Sequence, residues 1–279
     1  MAVPRRRVFY PFVILLLVLM FPGCWDRSQA DTYVDIGGYR LAARCIGQGS
    51  PTVILESGLG SSSGSWREVQ PSVSEFTRVC SYDRAGLALS DNRLDRTIEG
   101  GFVADELHKL IAGLGLQPPF VLVGASIGGI YTRLYEERYP GEAAGMVFVD
   151  SSHEDQFARF DAEATVQHFA DEGGSQIDLR PVVNELHQAE GFGDMPVISL
   201  DSGKIDNPIF LDLRRDPANR STNSMLVVAN EAGHEIQHDQ PGVVIRSIHL
   251  VVDSANHHSP MPACAGAFSG IDATCLPLP

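Results

Sequence analysis

A serine placed between two glycines is the feature whose residue types and spacing most directly suggest chemistry. The pattern GxSxG is formed by Gly124-Ala125-Ser126-Ile127-Gly128, and it is typical of a sharp strand-to-helix turn that carries a nucleophile. Residues 120–123 before it predict a short buried strand, and residues 127–139 predict a helix that Pro140 ends. Flanking glycines let other backbone pass close to such a strained turn. Ser126 is therefore the candidate nucleophile.

A serine hydroxyl is a weak nucleophile, so it needs a base to take its proton and donors to hold the oxyanion. Residues 51–55 predict a second buried strand, and a loop rich in glycine and serine follows it over residues 56–66. Such a loop can direct backbone N–H groups toward a developing negative charge, although it could also be a flexible connector. The predicted oxyanion hole consists of the amides of Leu59 and Ile127, the latter at the positive end of the helix after Ser126.

A histidine late in the chain is the candidate base. Residues 224–230 predict a strand, and His234 follows it in a loop. The apolar spacing after Pro241 predicts a closing helix beyond that loop. When a serine nucleophile stands on a turn between a strand and a helix, its histidine is expected later in the chain, in a loop just after a strand. His234 fits this order.

The same histidine also begins a second motif. Residues 234–238 spell HExxH, which is the zinc-protease signature. That chemistry needs both histidines one turn apart on a stable helix, yet Gly233 precedes the motif and Pro241 follows it closely. The sequence therefore predicts no metal here, and it predicts that His238 lies at the surface near the start of the closing helix.

Several segments together resemble the α/β-hydrolase superfamily, in particular its esterase, lipase and peptidase-like members with a compact cap. Besides the serine motif, the resemblance rests on residues 55–60, 77–86 and 146–150 and on Gly233-His234, and it covers nearly all of the chain after residue 30. It implies a mostly parallel twisted sheet with helices on both faces and acyl transfer without a cofactor. Two departures are Ser57-Gly58, where relatives usually carry His-Gly, and Ala88, where they carry glycine.

The resemblance also implies an acidic residue, which the superfamily places after either of two strands. Asp150 ends the predicted strand after the elbow helix, and Asp206 lies beyond the following strand, with Asp201 as a third option. The acid must accept a hydrogen bond from the imidazole and stabilise its cation, so it needs a fixed position at a strand end. Asp150 meets this requirement best, and Asp206 is the first alternative.

The N-terminal segment predicts export. Residues 5–7 are arginines, and the apolar run 8–20 that follows is short for a membrane anchor. Cys24 ends a segment that resembles a lipoprotein cleavage box, whereas Ala30 offers an ordinary signal-peptidase site. The expected location is outside the cell or in the periplasm, with lipid attachment at Cys24 slightly favoured and an uncleaved anchor as the alternative.

The remaining four cysteines fit an exported protein, because they can form two disulfides. The pairs considered are Cys45 with Cys80, on neighbouring early strands, and Cys264 with Cys275, which would close a small loop. Four cysteines permit three connectivities, and free buried thiols are the alternative for the first pair.

Length and charge set the broad class. The formal net charge is −14 over 279 residues, which argues against nucleic acid as a partner. The predicted organisation is one hydrolase domain over residues 31–279, with a cap insertion at about 151–195 and a disulfide-closed tail at about 260–279.

The predicted activity is hydrolysis of a small-molecule carboxylic ester, which Ser126 favours over the dehalogenase and epoxide-hydrolase chemistry of the same fold. Hydrolysis of amides, thioesters or carbon–carbon bonds, and ligand binding without turnover, are the alternatives.

Overall fold

The computed structural model describes residues 31–95, 97–156, 159, 169–205 and 207–278. The strands in this part of the chain are β1 (Thr32–Asp35), β2 (Arg40–Ile46), β3 (Thr52–Glu56), β4 (Val79–Tyr82), β5 (Thr97–Glu99), β6 (Phe120–Ala125), β7 (Ala143–Val149), β8 (Phe169–Glu172), β9 (Ser175–Asp178), β10 (Val197–Ser202), β11 (Ser224–Ala229) and β12 (Ala273–Leu276). The helices are α1 (Gln70–Val73), α2 (Gly101–Gly113), α3 (Ile127–Arg138), α4 (Arg180–Leu186), α5 (Pro208–Asn219), α6 (Ile236–Asp239), α7 (Pro241–His257) and α8 (Cys264–Ala267).

Nine of the described strands form one sheet, in the order β1-β2-β4-β3-β6-β7-β10-β11-β12. The inner strands from β4 to β11 pair in parallel, while β1, β2 and β12 join the sheet antiparallel. In a parallel sheet the carboxyl ends of the strands meet at one edge, where ligands usually bind. The ends of β3, β6, β7 and β11 therefore bring distant parts of the chain to the same edge.

Helices cover both faces of the sheet, as the resemblance implies. Successive side chains of a strand point to opposite faces, and β6 shows the consequence directly. Phe120 and Leu122 lie in an apolar cluster with residues of α2 and α3, whereas Val121 and Val123 lie in a second cluster with residues of α7. The strand is buried along its whole length, so it supports the turn that follows it rigidly.

The chain between β7 and β10, residues 150–196, interrupts the alternation of strands and helices and includes the predicted cap. We call this segment the insertion. Its described part contains the antiparallel hairpin β8–β9 and helix α4, and β9 also pairs in parallel with β5 in a small separate sheet. That the insertion acts as a cap stays a prediction.

Both disulfides considered from the sequence are present. Cys45 on β2 is bonded to Cys80 on β4, and Cys264 is bonded to Cys275 on β12. Residues 1–30, with Cys24 and Ala30, lie outside the described residues. Within the residues that are described, the helices lack the combined length and apolarity that crossing a bilayer requires.

Candidate active site

The strained serine turn expected from the sequence is present at the end of β6. Ser126 has φ 53° and ψ −126°, a conformation that is costly for a residue with a side chain. A Cβ on Gly124 would lie 2.5 Å from the Gly128 carbonyl oxygen, and a Cβ on Gly128 would lie 2.6 Å from the Glu56 carbonyl oxygen. The two glycines are therefore required by close backbone contacts, and the turn holds Ser126 half-buried between β6 and α3.

The predicted base and one predicted acid lie in direct contact. His234 follows β11, and its Nδ1 is 2.5 Å from Oδ2 of Asp150, which follows β7. Asp150 is fully buried and has a positive φ of 44°, so the surrounding structure holds its backbone in an unfavourable conformation. The alternative acid, Asp206, lies outside the described residues.

The second oxygen of the Asp150 carboxylate is also bound. Oδ1 accepts a hydrogen bond from the Ser202 amide at 3.1 Å, and Nη2 of the buried Arg214 lies 2.9 Å from it. Nη1 of Arg214 in turn binds Asp201 at 2.6 Å. Burial raises the pKa of Asp201 to about 6 although Arg214 opposes this shift. Asp201, the third candidate acid, is thus a partner of the arginine that orients Asp150.

Backbone hydrogen bonds bring the serine turn against the segment that carries the acid. The Ser126 amide donates to the Val149 carbonyl at 3.1 Å, and the Ser152 amide donates to the Ser126 carbonyl at 2.9 Å. Ser126 is therefore held on both sides by residues that flank Asp150. Because Asp150 contacts His234, these bonds gather the three predicted residues at one edge of the sheet.

Hydrogen bonding raises the pKa of the imidazole. The bond from Nδ1 to Asp150 raises the pKa of His234 above 6.5, and this effect outweighs burial, which would lower it. The His234 side chain is 46% exposed, so its other nitrogen can be reached from outside. A basic imidazole that is oriented by a carboxylate, at the same sheet edge as a serine on a strained turn, can serve as a general base.

One predicted oxyanion donor directly follows the serine in the chain, and the other belongs to a loop that passes beside it. Ile127 is the first residue of α3, and Leu59 lies in the loop after β3. Within the described residues, neither amide donates a hydrogen bond to a protein acceptor. A Cβ on Gly58 would lie 3.3 Å from the Ser126 Cβ, so this loop passes directly beside the serine. Both amides are therefore available for a ligand oxygen.

A buried ion cluster behind this loop was missed by the reasoning from sequence. Arg84 follows β4 and contacts Glu56, at the end of β3, and Glu172, at the end of β8 in the insertion. All three side chains are at most 2% exposed. The only signal in the sequence is that Glu56 and Arg84 lie within segments that carry the resemblance, and nothing local points to Glu172.

The HExxH residues do not have the geometry of a zinc site. Helix α6 begins at Ile236, after His234, so the two histidines do not share a helical face. His234 Nδ1 is already occupied by Asp150. His238 is 27% exposed rather than fully at the surface.

One other group of residues could present ligand atoms together within the described part of the chain: His153, Glu154 and Asp216. Arg133 binds Glu154 through two nitrogens, at 2.5 and 2.8 Å, and Arg220 binds Asp216 at 2.7 Å. Cations of the protein itself therefore neutralise these carboxylates. His153 is itself buried in this ion cluster.

Comparisons with known proteins agree with the fold described above. The family model described as alpha/beta hydrolase fold matches residues 51–189. The protein YqjL of Bacillus subtilis is 26% identical over 216 residues, which cover 74% of this chain and 85% of that protein. A relative from Hormonema carpetanum is 34% identical over 145 residues, 48% of this chain, and the match spans only 20% of that protein's length.

A solved structure extends the likeness to the whole fold. A thermophilic esterase from Thermogutta terrifontis superimposes with a TM-score of 0.63 at 20% identity, over 81% of this chain and 99% of that one. At this identity the likeness concerns the fold alone. The matched family model, the sheet order and the strained turn after β6 agree with one another. The chain belongs to the α/β-hydrolase superfamily.

Proposed function

We propose that this protein is an exported serine hydrolase that cleaves carboxylic esters through an acyl-enzyme. The observation that carries the proposal is the contact between His234 and the buried Asp150, formed beside the strained turn of Ser126. A nucleophile, a base and an orienting acid are the three groups that acyl transfer requires. The esterase from Thermogutta terrifontis supports the proposal as an example of this activity on the same fold.

In the proposed mechanism His234 accepts the hydroxyl proton through Nε2, because Nδ1 is bound to Asp150. The Ser126 oxygen then attacks the ester carbonyl, and the Leu59 and Ile127 amides stabilise the oxyanion. Collapse of the tetrahedral intermediate breaks the bond to the alcohol, which takes the proton from His234. Water repeats these steps on the acyl-enzyme, so that a carboxylic acid leaves and the serine is regenerated. No step needs a cofactor.

The experiment that tests this proposal is a matched substrate panel. We expect p-nitrophenyl esters of rising acyl length to be hydrolysed, and the corresponding p-nitroanilides to be hydrolysed far more slowly. A fluorophosphonate that reacts with activated serines should label the protein, and peptide mass spectrometry should locate the adduct on Ser126. Hydrolysis of anilides at comparable rates would make amides the substrate class. Ligand binding without labelling or turnover would refute catalysis.

Export is the second part of the proposal. It is supported by two disulfides among the described residues, since disulfides persist mainly in oxidising compartments. The arginines at 5–7 and the apolar run after them are the leader that this proposal requires. Intact-mass measurement of the mature protein should show an N-terminus at Cys24 carrying lipid. A mature chain that starts after Ala30 would instead make the protein soluble outside the cytoplasm, and an unprocessed chain would refute cleavage.

A further inference from the structure

The loop that carries Leu59 is held by side chains from three other segments. Arg84 donates through Nη1 to the Ser57 carbonyl at 2.7 Å and through Nη2 to the Gly58 carbonyl at 2.6 Å. The Gly60 amide donates to Oε2 of Glu172 at 2.9 Å. The peptide groups on both sides of Leu59 are thus bonded, while the Leu59 amide itself is not bonded within the described residues.

Glu172 also orients the arginine. Its Oε1 accepts from Nε of Arg84 at 2.7 Å, and its Oε2 accepts from Nη2 at 2.6 Å. This bidentate pairing fixes the plane of the guanidinium, because two parallel N–H···O bonds join two planar groups. The same plane determines where Nη1 and Nη2 meet the Ser57 and Gly58 carbonyls. One carboxylate therefore holds the loop twice, directly through Gly60 and indirectly through Arg84.

The charges in this cluster distinguish the two glutamates. Burial alone would raise the pKa of Glu172, but the Arg84 hydrogen bonds and the Gly60 amide outweigh it and the pKa is lowered. Burial raises the pKa of Glu56 despite the same arginine, and Tyr82 donates to Glu56 from the other side. The charged form of Glu172 is thus the one that its hydrogen-bond partners favour more strongly. If Glu172 were made neutral, Arg84 would lose its bidentate carboxylate and keep Glu56 beside it.

We propose that Glu172, contributed by the insertion, is a positioning residue that fixes Arg84 and the Gly60 amide so that the Leu59 amide is presented beside Ser126 as an oxyanion donor. This inference rests on the proposed function of Ser126. It assigns the insertion a part in transition-state stabilisation, in addition to any role as a cover. An oxyanion donor must lie about 2.7–3.1 Å from the developing oxyanion, and the contacts of Glu172 hold the loop on which this distance depends.

The test is Glu172→Gln, which keeps the size of the side chain and an acceptor for Gly60 but removes the charge. We expect kcat for a p-nitrophenyl ester to fall by about ten- to a hundredfold, less than or equal to the cost of losing a whole oxyanion donor. KM should change by less than about twofold, because the donor acts mainly on the transition state. Glu172→Asp retains the charge and should recover part of the lost kcat.

A thionoester provides a readout that general damage to the fold would not move. Sulfur accepts hydrogen bonds poorly, so the wild-type protein should prefer the oxygen ester over the matched thionoester. In Glu172→Gln this preference should fall several-fold, because the donor that distinguishes the two atoms is displaced. Glu106→Gln is the matched control: Glu106 is 2% exposed and pairs with Arg93, and within the described residues neither side chain bonds to residues 57–60. It should leave the preference unchanged, even if it lowers the unfolding temperature.

The outcomes separate this inference from the proposed function. If the wild-type protein hydrolyses esters and Glu172→Gln keeps both kcat and the oxygen-over-sulfur preference, the positioning role is wrong and the function stands. An equal loss of preference in Glu106→Gln would also overturn it. If the wild-type protein neither turns over any ester nor reacts at Ser126, the proposed function and the positioning role of Glu172 are both refuted. If Glu172→Gln does not fold, Glu172→Asp is the deciding variant. Its shorter side chain should displace the loop, so the preference for the oxygen ester over the thionoester should fall. An unchanged preference in Glu172→Asp would then contradict the inference.

Discussion

Ser126→Ala should lower kcat for ester hydrolysis by about 10⁵- to 10⁶-fold, because removing the nucleophile of a triad costs nearly as much as removing the whole triad. The remaining rate would come from the oxyanion donors and substrate binding. The fold should survive, since alanine has the same Cβ that Ser126 already places at φ 53°. Steady-state kinetics and thermal unfolding of both proteins check these two expectations together.

A neighbouring serine is the control for this substitution. Ser152 donates its amide to the Ser126 carbonyl, and that bond does not involve the Ser152 side chain. Ser152→Ala should therefore keep kcat within about tenfold of the wild-type value, as is usual away from the reacting groups. A Ser126→Ala protein that retains a tenth of the activity, or that still reacts with the fluorophosphonate, would contradict the assignment of the nucleophile.

Asp150→Asn should lower kcat by about 10⁴-fold, the loss seen when the acid of a serine triad is made neutral and the imidazole takes the wrong tautomer. The pH dependence should change as well. Asp150 raises the pKa of His234, and the base must be neutral to accept a proton. The acidic limb of kcat/KM should therefore lie above pH 6.5 in the wild-type protein and move to lower pH in Asp150→Asn. Kinetics between pH 5 and 9 measure both effects.

Two further variants decide among the candidate acids. Asp206→Asn should cost less than about tenfold, whereas a loss near 10⁴-fold there, with Asp150→Asn nearly unaffected, would transfer the role to Asp206. Asp201→Asn removes a partner of Arg214 rather than of His234, so its effect on kcat should lie between the other two. Asp201→Asn would leave Arg214 with Asp150 as its charged partner among the described residues. Thermal unfolding therefore has to be measured beside kcat, to separate lost stability from lost orientation of Asp150.

Local pattern was sufficient for the elements that hold the serine. The predicted strand at 120–123 is the first part of β6, and the helix predicted at 127–139 is α3 to within one residue. Both follow from signals a few residues apart: a buried apolar run, two glycines and a proline that ends the helix. The loop position of His234 was also predictable, because the strand before it and the helix after Pro241 each have a clear apolar pattern.

The partners of these residues could not be predicted in the same way. Asp150, Asp201 and Asp206 are equivalent as aspartates near strand ends, and the contact of Asp150 with His234 depends on the sheet order β7-β10-β11. From the sequence, Asp150 is favoured only because the end of its strand is better defined. No local pattern indicates that Asp201 instead binds Arg214.

By itself, the sequence determined the superfamily, the strained turn at Ser126 and the chain order of serine and histidine, because each is encoded by residues close together in the chain. The tertiary structure alone decided which described carboxylate meets His234 and how Glu172 reaches Arg84 across 88 positions of sequence. Ion pairs of this kind are stable only where burial and several hydrogen bonds coincide. That coincidence depends on the packing of distant segments, which no short window of sequence contains.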